Sequence, residues 1–339
     1  MQEYLQGFSE TMSQYEKNIE ILPSAKEAID AVLQGDVEFS VKGFVIGFIK
    51  VLFTVMEENA VPFLSLLAIA FACSICMTAA DCDTPPWSDS LLIAMGLALG
   101  VPVTTAFSTC IHSAYSFFSD MEAVNIGVIP ALATVAVPVK TGIFLTLAQI
   151  LIQLMKKVFL PAAIIFGVLK LVSVTGSRFG TWKMAAMVKS LYNWGLGIVM
   201  LVFSTVTAGA GVANGMTLSL AVKTVQYTAG AAVPVVGRFL SESAEVVATG
   251  AKMVKSAAGI GATVTLATVC ITPFLRMFAL MLLFKITAIL IQPILDERLI
   301  GIVDGVGDSV SMMMGAVALM SVFSFLNVAV IAGAGVGGL

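Results

Sequence analysis

Six polar side chains stand in register between Gly237 and Gly261. Arg238, Glu242, Glu245, Thr249, Lys252 and Ser256 follow one another at intervals of four, three, four, three and four. Residues three and four apart share one face of a helix, so these six form a single polar stripe. Phe239, Val246, Val247, Met253 and Val254 fall on the opposite side. Such a stripe offers ion pairs and hydrogen bonds to a partner, to water or to a polar cavity. It does not offer bond-making chemistry. Three placements follow from it: a solvated connector, a helix lying in the membrane interface, or the wall of a polar cavity within a bundle.

Groupings that would make or break covalent bonds are not found. The one histidine, His112, sits in an apolar run and is expected to be a hydrogen-bonded bundle residue. Cys73 and Cys76 form a Cys-x-x-Cys without a second pair, and their apolar surroundings point to packing rather than zinc or redox work. No His-Glu-x-x-His, phosphate-binding lysine loop or Gly-x-Ser-x-Gly occurs. The expectation is a protein that is not an enzyme and that needs no cofactor or metal.

The elements that must position the stripe are set by composition. Of 339 residues, 58% are hydrophobic and 12% charged, against about 25% charged in soluble chains. Uncharged runs of 20 residues or more cover Asn59–Ala80, Ser90–Ser119, Ser190–Val222, Ser256–Leu275 and Ser309–Leu339. About 20 apolar residues cross a bilayer core. The fold class is therefore all-α: a polytopic transmembrane helix bundle of about 7–8 spans, with the lipid bilayer as its solvent. A net charge of −3 and the lack of a dense basic run exclude nucleic acid as a partner.

Residues 1–59 form an N-terminal amphipathic helical region, and residues 60–339 the polytopic membrane domain. Tyr4, Phe8, Met12, Tyr15, Ile19 and Leu22 keep helical spacing up to Pro23, and a helix over Val41–Met56 is expected to lie flat. The first 40 residues lack the apolar core of a signal peptide, so insertion is expected to use internal spans. Gly96 and Gly100, and Gly211 and Gly215, are candidates for close helix packing. Pro130, Pro138 and Lys140 punctuate 123–153, which predicts a broken or re-entrant pair of half-helices; a second break is expected within 223–261. Ser256–Leu275 and Met277–Leu295 read as consecutive stretches, and Ser309–Ile331 as the last crossing. Arg178, Lys183 and Lys189, with no acid between Gly176 and Lys189, mark a cytoplasmic loop. Three crossings then place the acidic loop at 81–89 outside. Every Asp and Glu falls at a predicted loop, end or amphipathic helix, which weighs against a proton-coupled carrier. Lys140, Lys170, Arg276 and Lys285 read as snorkelling side chains or as a cationic lining.

The stretch Lys223–Gly261 resembles stage III sporulation protein AE, a family of membrane proteins of endospore-forming Firmicutes. The resemblance rests on Val233-Pro234-Val235-Val236-Gly237, then Ser241-Glu242, Lys255 and the Gly259-Ile260-Gly261 pair, with Lys223-Thr224-Val225 upstream and Pro273 downstream. Hydropathy agrees over roughly residues 30–335. The resemblance implies an integral subunit in the mother-cell membrane around the forespore. Its partners would be the other proteins of the stage III sporulation A operon, together with stage II sporulation protein Q, in a complex bridging two membranes and regarded as a channel. Pro234, Gly237, Arg238, Ser241, Glu242, Glu245, Lys252, Lys255, Gly259 and Gly261 would then face partners or a pore. Family members often open with a signal-like hydrophobic segment, and none precedes Gln2 here. Residues 1–59 are thus either cytoplasmic or outside, with 41–56 crossing. Beside the channel or structural subunit stand two other readings: a secondary transporter of a small solute with its site at broken helices, and an assembly factor without a pore.

Overall fold

The computed structural model describes residues 41–80, 88–133, 138–173, 181–207 and 257–334, and among these no strand occurs. The helices are α1 (Val41–Glu58), α2 (Ala60–Ala80), α3 (Ser88–Ala133), α4 (Pro138–Leu154), α5 (Leu160–Val172), α6 (Thr181–Thr207), α7 (Ala257–Ile291) and α8 (Glu297–Ala334). A single π turn, Met155–Phe159, joins α4 to α5 without a break. Pro161 supplies its cause. A proline within a helix donates no hydrogen bond and presses its ring on the carbonyl four residues back, here that of Lys157, and a widened turn relieves both.

Six of these stretches are long and apolar enough to cross a membrane: Ala60–Thr78, Ser90–Ile126, Thr146–Val172, Thr181–Phe203, Val269–Ile291 and Glu297–Val328. Large apolar side chains stand exposed on their outer surface, among them Val61, Leu64, Phe71, Val101, Trp194, Leu201 and Ile289. Exposed hydroxyls there bond back into their own helix, as those of Thr104 and Thr105 do to the carbonyls of Gly100 and Val101. This is the surface that lipid requires. The polytopic all-α reading holds.

Helix α8 is the axis. Two-thirds of its most apolar window (67%) is buried, against 17% for α6, which lies at the rim. Its inner residues Val303, Val306, Val310, Met313, Val317 and Met320 meet α3, α5 and α7. Asp296 starts α8 by accepting the Arg298 backbone N–H at 2.8 Å, and Glu297 adds a negative charge to the positive helix end. Rings lock the pairs of helices edge to face: Phe63 on Phe284 at 5.0 Å and Phe159 on Tyr192 at 5.4 Å.

Several expectations change. Met277 continues the helix begun at Ala257, so the two stretches on either side of Arg276 are one helix, with Arg276 exposed on it. The last helix begins at Glu297 rather than Ser309, and α3 continues past Ser119 to Ala133. Of the 123–153 segment, α3 ends at Ala133 and α4 begins at Pro138, and the break expected between them falls on residues 134–137, which lie outside the described residues. Among the described residues two candidate spans lie between Asp81–Asp89 and Arg178–Lys189, where three crossings were expected. His112 is exposed rather than tucked into the bundle, and Cys76 is exposed while Cys73 is buried.

Candidate functional site

The polar stripe from Arg238 to Ser256 lies outside the described residues, together with Pro234, Gly237, Ser241, Glu242, Glu245, Lys252 and Lys255. So do Gly211 and Gly215. Gly259 and Gly261 fall in the first turns of α7. Gly96 is buried, whereas a side chain at Gly100 would meet nothing within 4 Å. What the structure brings together instead is charge along one side of α8.

Asp304 and Asp308 are four residues apart and so project from one face of α8, one turn from each other. Two like charges in that relation repel, and a cation between them removes the penalty. Lys285 of α7 takes that position. Its Nζ donates to Asp304 Oδ1 at 2.7 Å and to Asp308 Oδ1 at 2.6 Å. Lys189 of α6 donates to the other oxygen, Asp308 Oδ2, at 2.7 Å. Asp308 therefore divides its two oxygens between two helices, and three helices are tied through one carboxylate.

The depth of this network follows from the helix rise. Lys285, Asp304, Lys189 and Asp308 lie roughly 9–16 Å along their helices from the end that carries Lys183 and Arg298. A hydrocarbon core is about 30 Å thick, so Asp308 is well inside a span by length. Exposure falls with depth, from 51% at Asp304 to 24% at Asp308. The network is thus open toward that end and closed inward. It is closed by Tyr192, whose buried hydroxyl donates to the Met312 carbonyl at 2.6 Å.

Small residues make the approach possible. A side chain at Gly305 would lie 2.7 Å from Cγ and Cδ of Lys170, so the stem of that lysine crosses α8 where α8 has no side chain. At Gly167 a Cβ would lie 2.5 Å from Phe107 Cζ and 2.8 Å from Ser309 Oγ, and Ser309 Oγ donates to the Ala163 carbonyl at 2.6 Å. The Lys170 and Lys189 ammonium groups each lie 5.8 Å from the centre of the Phe166 ring, within cation–π range. Lys285 and Lys189 are paired inside the bundle, which corrects the snorkelling reading of Lys285.

A second polar cluster joins α3 to α4 and the π turn. Glu122 Oε1 accepts from Gln153 Nε2 at 2.9 Å and from Gln149 Nε2 at 3.4 Å, and Oε2 accepts from Lys156 Nζ at 3.1 Å. The same ammonium donates to Ser119 Oγ at 3.2 Å, and Asn125 Nδ2 donates to Gln149 Oε1 at 3.1 Å. Asp304 and Asp308 lie seven and eleven residues inside the candidate span Glu297–Val328, where a loop or span end was expected, whereas Glu122 lies near the end of Ser90–Ile126. Sequence reasoning missed them because each span was ended at its first charge. The Asp304-x-x-x-Asp308 spacing was the available signal.

Nothing in either cluster pairs a nucleophile with a base, and among the described residues no group of three or more His, Cys, Asp or Glu side chains is placed to hold a metal. The arrangement suits holding helices together or conducting charge past them. No solved structure matches this chain. Stage III sporulation protein AE of Bacillus subtilis (strain 168) is similar, with 22% identity over 182 residues, 54% of this chain and 46% of the relative. The match thus spans about half the length of that relative. The family model described as Stage III sporulation protein AE matches residues 23–335, nearly the whole chain and all of the helices that build both clusters. The chain belongs to the stage III sporulation protein AE family.

Proposed function

We propose that this chain is an integral membrane subunit of a channel complex between mother cell and forespore, in which it has a structural or pore-forming role. Its place would be the mother-cell membrane around the forespore, beside the other proteins of the stage III sporulation A operon and stage II sporulation protein Q. Family membership supports a role in sporulation. The observation that favours a load on the bundle is Asp308, held by Lys189 and Lys285 from two different helices inside the span. Charge at that depth is costly unless it is paired or wetted, so its presence marks a functional or assembly-critical point.

The test is Asp308→Asn in sporulating cells, scored for spore yield, protein abundance and co-purification of the sister proteins with the tagged chain. Loss of yield and of co-purification at unchanged abundance is expected. Wild-type yield would remove Asp308 as the point on which the role depends.

A second reading, a secondary transporter of a small solute, gains from the same carboxylates, since intramembrane acids are what a coupled carrier uses. Saturable uptake by the purified chain alone in liposomes would favour it over a subunit role.

A further inference from the structure

We infer that two copies of this chain pack side by side in the membrane through α3, along the line Gly100, Thr104, Ser108 and His112. The inference goes beyond the channel reading and holds whether or not the complex conducts.

One outer strip of the bundle does not suit lipid. Gly100, Thr104, Ser108 and His112 follow at intervals of four and so share one face of α3, with Tyr115 just beyond. Thr104, Ser108, His112 and Tyr115 are exposed, and a side chain at Gly100 would meet nothing within 4 Å. The Thr104 hydroxyl bonds back to its own helix. Among the described residues Ser108, His112 and Tyr115 have no hydrogen-bond partner. Depth decides what that means. Phe107 and Ser309 both lie against Gly167, and Met121 lies beside Ser324, so α3 runs with α8 and away from Val172. Gly167 is about 7.5 Å along α5 from Val172, and His112 is about 7.5 Å beyond Phe107. Val172 ends a candidate span, so His112 stands ~15 Å inside, halfway through a hydrocarbon core about 30 Å thick. A polar side chain at that depth needs a partner helix or water.

The chemistry of the strip selects the partner. Copies in one membrane share their orientation, so a two-fold axis relating them runs along the membrane normal, and each residue at the crossing meets its own copy. A charged face repels itself in that arrangement, as the exposed Arg276 of α7 would. Helix α3 carries no charge between Asp89 and Asp120. Serine and tyrosine hydroxyls and a neutral imidazole each donate and accept, so a second strip answers the first. Gly100, Thr104 and Ser108 are small enough for two backbones to approach, and polar side chains then bond across the helices. The outer face of α6 shows the contrast. Met187, Leu191, Trp194 and Leu201 are large, apolar and exposed, and lipid suffices to cover them.

The experiment uses the full chain in native membranes, with Cys76 and Cys82 changed to serine; Cys73, Cys110 and Cys270 are buried. Oxidation by copper phenanthroline should join Thr104→Cys and Ser108→Cys into disulfide-linked dimers, because a disulfide forms only where the two side chains meet. Leu201→Cys, on the outer face of α6, should stay monomeric. Energy transfer between labelled copies in liposomes, diluted stepwise with lipid, reads the affinity. His112→Leu should weaken it about tenfold, whereas His112→Gln keeps a donor and an acceptor and should stay within about twofold of wild type. No dimer at either α3 position overturns the contact. Dimers as abundant at Leu201 overturn it equally, because they would report chance collision. So does an affinity unchanged in His112→Leu. Ser108→Cys that links instead to a different protein, or that reacts with a membrane-impermeant charged thiol reagent without forming a dimer, also overturns it, since another helix or water would then cover the strip.

Discussion

Between α6, α7 and α8, four charges are divided so that each carboxylate meets at least one ammonium; between α3 and α4, one carboxylate takes three donors while Asn125 Oδ1 takes none. The first cluster is closed in its own bonds and joins helices distant in sequence. The second is a row of amides with one end open, on helices joined by a short connection. Loss of a member should cost a reciprocated network more than it costs a row with an open end. Mutation can break that contrast at either end.

The largest effect is expected at Asp308. Asp308→Ala leaves Lys189 without its carboxylate and Lys285 with only the more exposed Asp304. Breaking a buried pair costs about 3–5 kcal/mol, and the partial exposure here brings the expectation to about 2–3 kcal/mol. Unfolding in mixed micelles measures it. Asp308→Ala combined with Lys189→Ala should recover part of the loss, and a double variant as damaged as the sum of the singles would show that the two side chains do not act as a pair.

Next comes the packing that permits the network. Gly305→Ala drives a methyl group to within 2.8 Å of Lys170 Cβ, close to the backbone of α5 where little can yield. Overpacking of this kind costs about 1–3 kcal/mol. Gly100→Ala serves as its control. Nothing lies within 4 Å there, and alanine is the better helix former, so stability should be unchanged or rise by up to ~1 kcal/mol. Equal losses at Gly100 and Gly305 would contradict the close crossing of α5 over α8.

How much of this was legible in the sequence depended on which signal the residues sent. Hydropathy alone disclosed the all-α class, because lipid leaves a spanning chain few other choices. It failed at helix ends, since Asp308, Glu122 and Arg276 each interrupt an apolar run without interrupting a helix. Their backbone bonds are unaffected by side-chain charge, and partners on other helices meet the cost for the first two. Those partners are 19 to 119 residues away for the carboxylates of α8, a distance that no local pattern encodes. The glycines behaved alike. Gly96 and Gly100 fit a spacing rule, yet the close approaches occur at Gly167 and Gly305, which depend on where Phe107 and Lys170 arrive from elsewhere.

A smaller loss is expected at the open row. Glu122→Ala removes the acceptor shared by Gln149, Gln153 and Lys156, but Lys156 can swing outward and the two amides can turn to each other. The expectation is about 1–2 kcal/mol, read by the same unfolding measurement, and a loss as large as that at Asp308 would erase the difference between the clusters.

The smallest effect, and the sharpest for the contrast, is expected at Asn125. Asn125→Leu deletes one hydrogen bond, to Gln149, worth about 1 kcal/mol net. It deletes with it a buried acceptor that nothing answers, whose burial costs a similar amount, and leucine nearly preserves the volume. The two terms offset, so the unfolding free energy should stay within ~0.5 kcal/mol of wild type. In a closed network such a substitution has no second term to offset the first. A loss of 2 kcal/mol or more (roughly the scale set by a severed network) would mean that Asn125 is fully answered in the folded protein and that the row has no open end.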